Sequence, residues 1–246
     1  MQIKSISYWE KVAFNKPYDY IIVGAGFVGL SAALRLRELE PSCRIAILEW
    51  GIISYGASTR NAGFACFGTI GELEADIESG QLAQVLETIK MRYQGLKKLK
   101  EHIPENVMSY ENHGGTELFE SEDAFNLAAS KIDFWNQHLS SIVGEEAFQI
   151  KAVENGGFYE FGIYNQYEGQ LNPKLAIDHL ISTCHSKNID MFFGVEVTDW
   201  EERKDSIKIS TKQDIHFTTK KVGFATNGFS RRFFSDEDIK PARNQV

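Results

Sequence analysis

The sequence predicts an α/β chain: a parallel sheet opened by one strand–turn–helix–strand unit, with an α+β segment inserted between its two parts. Three observations predict it. A short apolar run, Tyr20 to Val23, meets glycines at 24, 26 and 29. Leu30, Ala33, Leu34 and Leu36 then recur at helical spacing. A second apolar run, Ile45 to Leu48, stops on Glu49, twenty residues past the last glycine. Apolar residues at steps of three and four mark a helix, and short apolar runs bounded by glycine mark strands.

Each position in this unit has a physical job. Gly24 permits the sharp turn off the strand, Gly26 lets the backbone approach a pyrophosphate, and Gly29 lets the helix pack close to the sheet. Phe27 and Val28 lie in the first helical turn, where free N–H groups and the helix dipole favour phosphate. Glu49 sits where a carboxylate accepts hydrogen bonds from both ribose hydroxyls, which argues against a phosphorylated ribose. The strand before, the helix after and the acid at this distance separate the motif from a glycine turn that serves packing alone.

The 246 residues have room for one large or two modest domains. A hydrophobic content of 43% and a charged content of 24% are those of a soluble globular protein. The net charge of −8 speaks against nucleic acid as a main partner, because phosphate binding needs a basic face. Cys43, Cys66 and Cys184 are far apart and form no CxxC pair, so reduced thiols in a cytoplasmic protein are expected. His179, Cys184 and His185 do not set up one helical metal face, and no metal site is expected. The N-terminus lacks a signal-peptide core and no apolar run reaches the length of a membrane span.

Along the chain, residues 1–17 read as an extended arm with Tyr8, Trp9 and Phe14. Residues 51–71 form a long loop rich in glycine and small residues, a length that implies a function. Residues 72–102 and 121–143 follow a helical period, 108–120 and 157–164 read as strands, and a helix begins at Pro173, a favoured first-turn position. Short strands are expected at 191–193, 196–200, 207–209 and 222–225. Residues 1–83 and 169–246 therefore form the expected Rossmann-like nucleotide-binding domain, and 84–168 the inserted α+β substrate domain. A pocket between such parts is a common substrate site.

The loop Gly56-Ala57-Ser58-Thr59-Arg60-Asn61-Ala62-Gly63 chooses between cofactors. Small residues expose backbone N–H groups, Ser58, Thr59 and Asn61 add side-chain donors, and Arg60 adds a fixed charge. That mix suits a flat, polar-edged ring and its phosphates. Here the chain resembles the FAD-dependent oxidoreductases of the D-amino-acid oxidase (DAO) superfamily. Within it, the similarity is to the branch of gamma-glutamylputrescine oxidase and glycine/sarcosine-oxidase-like enzymes. The resemblance rests on Ser7-Tyr8-Trp9-Glu10, the stretch Val23 to Ala33, the 56–63 loop, Gly169-Gln170-Leu171-Asn172-Pro173, and Ala225-Thr226-Asn227-Gly228-Phe229-Ser230 with Pro241-Ala242-Arg243.

The resemblance implies an FAD cofactor and a set of contacts to it. Gly24, Gly26 and Gly29, with Phe27 and Val28, would hold the pyrophosphate. Glu49 and Trp50 would flank the adenosine ribose. Ala57, Ser58, Thr59, Arg60, Asn61, Ala62 and Gly63 would line the pyrophosphate and flavin. Val197 would place backbone against the adenine, although the same short valine strand also reads as ordinary core. Ala225, Thr226 and Gly228 would close over the nucleotide. The implied reaction takes a hydride from the carbon beside an amine nitrogen of a small amine or amino acid, gives an imine, and passes electrons to dioxygen. No side chain is assigned as a catalytic base. The match stops at Val246, where family members continue for roughly another third of their length, the kind of length comparison that bounds a domain count. The chain thus resembles a C-terminally truncated member, its C-terminal part missing. Two alternatives stay open: a non-catalytic nucleotide-binding remnant or subunit completed by another chain, and a nicotinamide (NAD) dehydrogenase built on the same first motif.

Among tempting residues, Cys66 reads as a small buried thiol. Arg92 reads as a solvated helix residue and His113 as an exposed turn residue. The aromatics Phe158, Tyr159, Phe161, Tyr164 and Tyr167 read first as core.

Overall fold

The computed structural model describes residues 7–9, 16–54, 56–154, 159–234 and 239. Most of the expected N-terminal arm, Phe158 and the Pro241–Arg243 stretch lie outside them. In chain order the elements are β1 (Tyr18–Val23), α1 (Phe27–Leu39), β2 (Ile45–Glu49), a 3-10 turn at Ala57–Thr59, β3 (Phe64–Ala65), α2 (Ile70–Ser79) and α3 (Leu82–His102). Then come β4 (Gly115–Glu117), α4 (Glu122–Ala129), α5 (Ile132–Val143), β5 (Phe148–Ala152), β6 (Phe161–Asn165), β7 (Gly169–Gln170) and α6 (Pro173–Ser186). The chain closes with β8 (Asp190–Phe193), β9 (Val197–Arg203), β10 (Ser206–Thr211), β11 (His216–Phe224) and a 3-10 turn at Asn227–Arg232. They divide into two compact units, Met1–Ala62 with Pro173–Val246, and Gly63–Asn172.

The first unit is a six-stranded sheet in the order β8-β2-β1-β11-β10-β9. Strands β8, β2, β1 and β11 run parallel, and β9, β10 and β11 form an antiparallel meander. Parallel strands covered on both faces read as unbroken apolar runs, which is what β1 and β2 show. Tyr18, Ile21, Val23, Ala46 and Leu48 share one core with Val195, Val197, Ile209, Ile215 and Phe217. Leu30, Ala33 and Leu34 of α1 are buried, as are Ala176, Ile177, Leu180 and Cys184 of α6, and the two helices pack together. Arg37 closes the C-terminal end of α1, donating to the carbonyls of Pro41, Cys43, Lys187 and Asn188. Those carbonyls lie in the turns that follow α1 and α6, and a cation in the last turn of α1 also suits the helix dipole.

The second unit has two small sheets, β3-β7 and β4-β6-β5, with α2 to α5 around one core. Its buried members include Phe67, Ile70, Leu73, Val85, Ile89, Phe125, Trp135, Leu139, Phe148 and Ile163. Phe67, Ile70 and Leu73 explain why the division falls at Gly63 rather than at residue 84: their side chains complete this core. Tyr159, Phe161 and Tyr167 pack against the same core.

Several element boundaries differ from the expectation. The helical stretch 72–102 is two helices, because Gly80 ends α2 in an extended conformation and α3 restarts at Leu82. The start of α2 is fixed by a capping box in which Thr69 and Glu72 exchange hydrogen bonds. The stretch 121–143 also splits, around Ser130 and Lys131. Strand 108–120 shrinks to the three residues of β4.

Asn136 on α5 holds β5 to the helix. Its Oδ1 accepts from the amides of Ala147 and Phe148 at 3.0 and 2.9 Å, and its Nδ2 donates to the Phe148 carbonyl at 2.9 Å. The side chain is buried, so truncation strands backbone groups away from water. Asn136→Ala is expected to destabilise the second unit by about 2–4 kcal/mol, read as a lowered urea midpoint at unchanged slope.

Candidate functional site

Register brings the site together. Val23 pairs with Leu48 on one side and with Phe224 on the other. The carboxyl ends of β1, β2 and β11 therefore lie at one level, and the strand order reverses about β1. Ligands of open α/β sheets bind in the crevice outside such a switch point. Gly24, Glu49 and Ala225 stand side by side at its rim, locked by the Gly24 amide on the Leu48 carbonyl (2.8 Å) and the Ala225 amide on the Val23 carbonyl (2.8 Å).

The glycines are required by space. Gly24 has φ +109°, in the left-handed region, and a Cβ there would stand 2.6 Å from the Ala225 carbonyl oxygen. A Cβ at Gly29 would overlap the Gly24 carbonyl oxygen. At Gly26, the N-cap of α1, a Cβ would meet the Ser58 hydroxyl at 2.7 Å.

Ser58 does more than line a loop. Its hydroxyl accepts the Phe27 amide at 3.0 Å, capping α1 from thirty-one residues away. Thr59 donates to the Ser54 carbonyl, and Asn61 donates to the carbonyls of Ala57 and Ser58. These bonds fold Ala57–Thr59 into a turn beside α6. Arg60 and Ala62 are exposed beyond it, and Gly63, with φ +80°, opens the second unit.

Glu49 is half-buried, and each carboxylate oxygen takes one amide: Ala25 on Oε2 and Gly51 on Oε1, both at 2.8 Å. Each oxygen keeps a second lone-pair direction for a hydroxyl. The Glu49 carbonyl accepts the Val195 amide at 2.9 Å. Val197 is buried in the sheet core. Trp50, 53% exposed, meets Phe229 edge-on at 6.0 Å between centroids. The Arg232 guanidinium lies 5.4 Å from the Trp50 ring centre. Arg232 is in turn paired with Glu196 at 2.8 Å. Thr226 bonds to Ser230 through their hydroxyls, and Gly228 lies in the same 3-10 turn. The sequence did not single out Glu196 or Arg232; the available signal was a charged residue set between two valines, which folds inward only when paired.

The residues of the second unit sort differently. Cys66 is exposed, not buried as expected, because Ala65 and Phe67 on either side of it turn inward. Arg92 donates to the Phe67 carbonyl at 3.0 Å, so it is tied to the fold rather than freely solvated. His113 is exposed beside Glu111. A cavity of about 50 Å³ is lined by Thr69, Glu117, Phe148, Ile163, Asn165 and Glu168. Burial pushes the Glu117 and Glu168 carboxyls above the ordinary glutamate range. A carboxyl raised by folding binds its proton more tightly in the folded state, so its contribution to stability is lost as pH rises through the folded value. Glu117→Gln is therefore expected to flatten the fall in melting temperature as pH rises above 4.5, the glutamate reference; an unchanged slope would contradict this.

Among the described residues, no group of three His, Cys, Asp or Glu side chains could hold a metal ion. None of the described helices is long and apolar enough to cross a membrane.

Residues 19–246 match the family model described as FAD dependent oxidoreductase (DAO). The chain belongs to that family, whose cofactor is FAD. A probable oxidoreductase, OrdL, of Haemophilus influenzae is 24% identical over 229 residues, covering 86% of this chain and 49% of that protein. An L-2-hydroxyglutarate dehydrogenase of Escherichia coli is 22% identical over 201 residues, covering 80% of this chain and 44% of the relative. Among solved structures, L-amino acid deaminase from Proteus vulgaris superposes with a TM-score of 0.68 at 18% identity, over 90% of this chain and 56% of that one. Glycine oxidase from Geobacillus kaustophilus gives 0.62 at 18% identity, over 89% and 58%. At these identities the structural likeness speaks for the fold. The chain spans about half the length of the curated relatives it matches.

The geometry of the first unit fits the cofactor. The turn packs too closely for side chains: a Cβ would strike the Ala225 carbonyl at Gly24, the Gly24 carbonyl at Gly29 and the Ser58 hydroxyl at Gly26, which leaves main chain at the mouth of the crevice. Of the first-turn amides of α1, that of Phe27 is held by Ser58, while those of Val28 and Gly29 have no intrahelical acceptor, and Glu49 is oriented with lone pairs to spare.

Proposed function

We propose that this chain is the FAD-holding part of an oxidoreductase acting on a C–N bond of a small amine or amino acid. The observation that carries the cofactor half is the coincidence at one sheet edge of the Gly24–Gly29 turn, the Ser58 cap and the doubly anchored Glu49. The amides of Gly26, Val28 and Gly29 would receive the pyrophosphate, with Gly24 shaping the turn and the Phe27 amide held by Ser58, and Glu49 and Trp50 would take the ribose end. The Ala57–Gly63 loop would lie along the pyrophosphate and flavin, Val197 against the adenine, and Ala225, Thr226 and Gly228 over the nucleotide. These residues bind and orient; they shed no proton. When bound, FAD would accept a hydride from the carbon beside the nitrogen, leaving an imine that water hydrolyses, with dioxygen as final acceptor. The unit Gly63–Asn172 would supply the substrate-facing part. The substrate class is supported by relatives named as an L-amino acid deaminase and a glycine oxidase.

The test is anaerobic bleaching of the FAD-loaded chain. A panel of amino acids and amines should contain at least one compound that bleaches the visible flavin bands. L-2-hydroxyglutarate belongs in the panel because one relative bears that name; bleaching by it alone would replace C–N by C–O oxidation. A second reading is a nucleotide-binding piece completed by another polypeptide. It predicts bound FAD that no compound in the panel bleaches.

A further inference from the structure

Three side chains from separate segments, Glu196, Arg232 and Trp50, form a circuit closed through the backbone at the end of β2. The Glu49 carbonyl accepts the Val195 amide. The next residue, Glu196, is 9% exposed and carries two cations, Arg232 at 2.8 Å and Lys212 at 3.2 Å. Its backbone is fixed as well, by Gln213 Oε1 on its amide and the Lys212 amide on its carbonyl. Arg232 then lies over the ring of Trp50, the residue that follows Glu49. Phe229, from the same 3-10 turn as Arg232, meets the Trp50 ring edge-on.

Nothing in packing alone calls for this arrangement. Trp50 and Phe229 are 53% and 61% exposed, so their rings gain little from burial where they stand. Large exposed rings gathered at the rim of a crevice mark a ligand surface. A nearly buried acid is kept because it is paired, and here it holds a guanidinium at a fixed place. Arg232 favours the negative face of the indole, and at 5.4 Å from the centroid it lies within the range of that attraction. The contact favours one orientation of Trp50, the residue that follows Glu49.

We infer that Glu196 and Arg232 are positioning residues for the adenosine half of the dinucleotide: together they fix Trp50 as a wall against which the adenosine lies next to Glu49. This rests on the nucleotide reading above. A wall that is already fixed spares the ligand the cost of ordering it, so affinity falls when the clamp is released. Arg supplies a planar group to the ring; Lys keeps the charge and loses the plane.

The experiment measures ADP and FAD affinity by calorimetry for the full chain and for Glu196→Gln, Arg232→Gln, Arg232→Lys and the double variant Glu196→Gln/Arg232→Gln. Each single Gln variant is expected to weaken ADP binding about 5-fold, the size of an exposed cation–π contact. The double variant should be no weaker than either, because the two act in series. Arg232→Lys should recover only part of the loss. Arg232→Gln removes one of the two cations on Glu196 and leaves Lys212, so some fall in melting temperature is expected; a merely structural role would lower it without moving ADP affinity. Wild-type affinity for ADP in Arg232→Gln and Glu196→Gln overturns the inference and leaves the nucleotide reading standing. A wild-type chain that binds neither ADP nor FAD overturns both.

Discussion

Gly29→Ala is expected to abolish FAD binding and to cost the first unit about 3 kcal/mol or more of stability, toward or beyond the upper end for overpacked cores. The added methyl would overlap the carbonyl oxygen of Gly24 and press on the Ala225 methyl at 3.3 Å. Both the glycine and the oxygen it would strike are backbone, so no rotamer relieves the clash. Helix α1 must lift from the sheet, and two things fail together. Leu30, Ala33 and Leu34 lose their packing, and the first-turn amides leave the mouth of the crevice. A visible-absorbance titration with FAD and a thermal melt check both effects; Gly95, exposed on α3 with open space around its Cβ position, is the control, and Gly95→Ala should be neutral or slightly stabilising.

Glu49→Ala is expected to weaken FAD about 100-fold, or about 2.7 kcal/mol, with ADP weakened by a similar factor. Hydrogen bonds to a charged group are worth about 1.5–3 kcal/mol each, and this carboxylate organises two amides before any ligand arrives. Without it, the amides of Ala25 and Gly51 lose their acceptor and the turn loses its tie to β2. Glu49→Gln separates the two roles: it keeps one acceptor oxygen and should fall between the wild type and the alanine variant. Equal losses for Gln and Ala would assign the effect to charge alone.

Much of the first unit was legible because its determinants are local. The glycine spacing, the apolar run of β2 and the Pro173 start of α6 each lie within one short window, and the structure places elements there. The meander was legible as short strands, although β11 extends back to His216, beyond the expected start at 222. The second unit was read less well, for physical reasons. Strand β5 buries only Phe148 of its five residues, so its apolar alternation carries little signal. The break between α4 and α5 has neither Gly nor Pro, and Ser130 keeps helical dihedrals there.

In the site, the residue types could be named but their partners could not. Ser58 belongs to a loop whose composition suggested ligand contacts; that it caps α1 depends on the tertiary fold. The Glu196–Arg232–Trp50 chain joins residues from three separate segments, and no spacing rule reaches that far. The domain limit moved for the same reason. Residues 63–83 follow the nucleotide loop in sequence, yet Phe67, Ile70 and Leu73 find their apolar partners in the other unit's core.

The most direct test of the account is a calorimetric titration of the purified chain with FAD, run in parallel on Glu49→Ala. The account predicts one FAD per chain, displaced by ADP, with an affinity that collapses in the variant. FAD binding that ADP does not displace, or that survives Glu49→Ala undiminished, would contradict it.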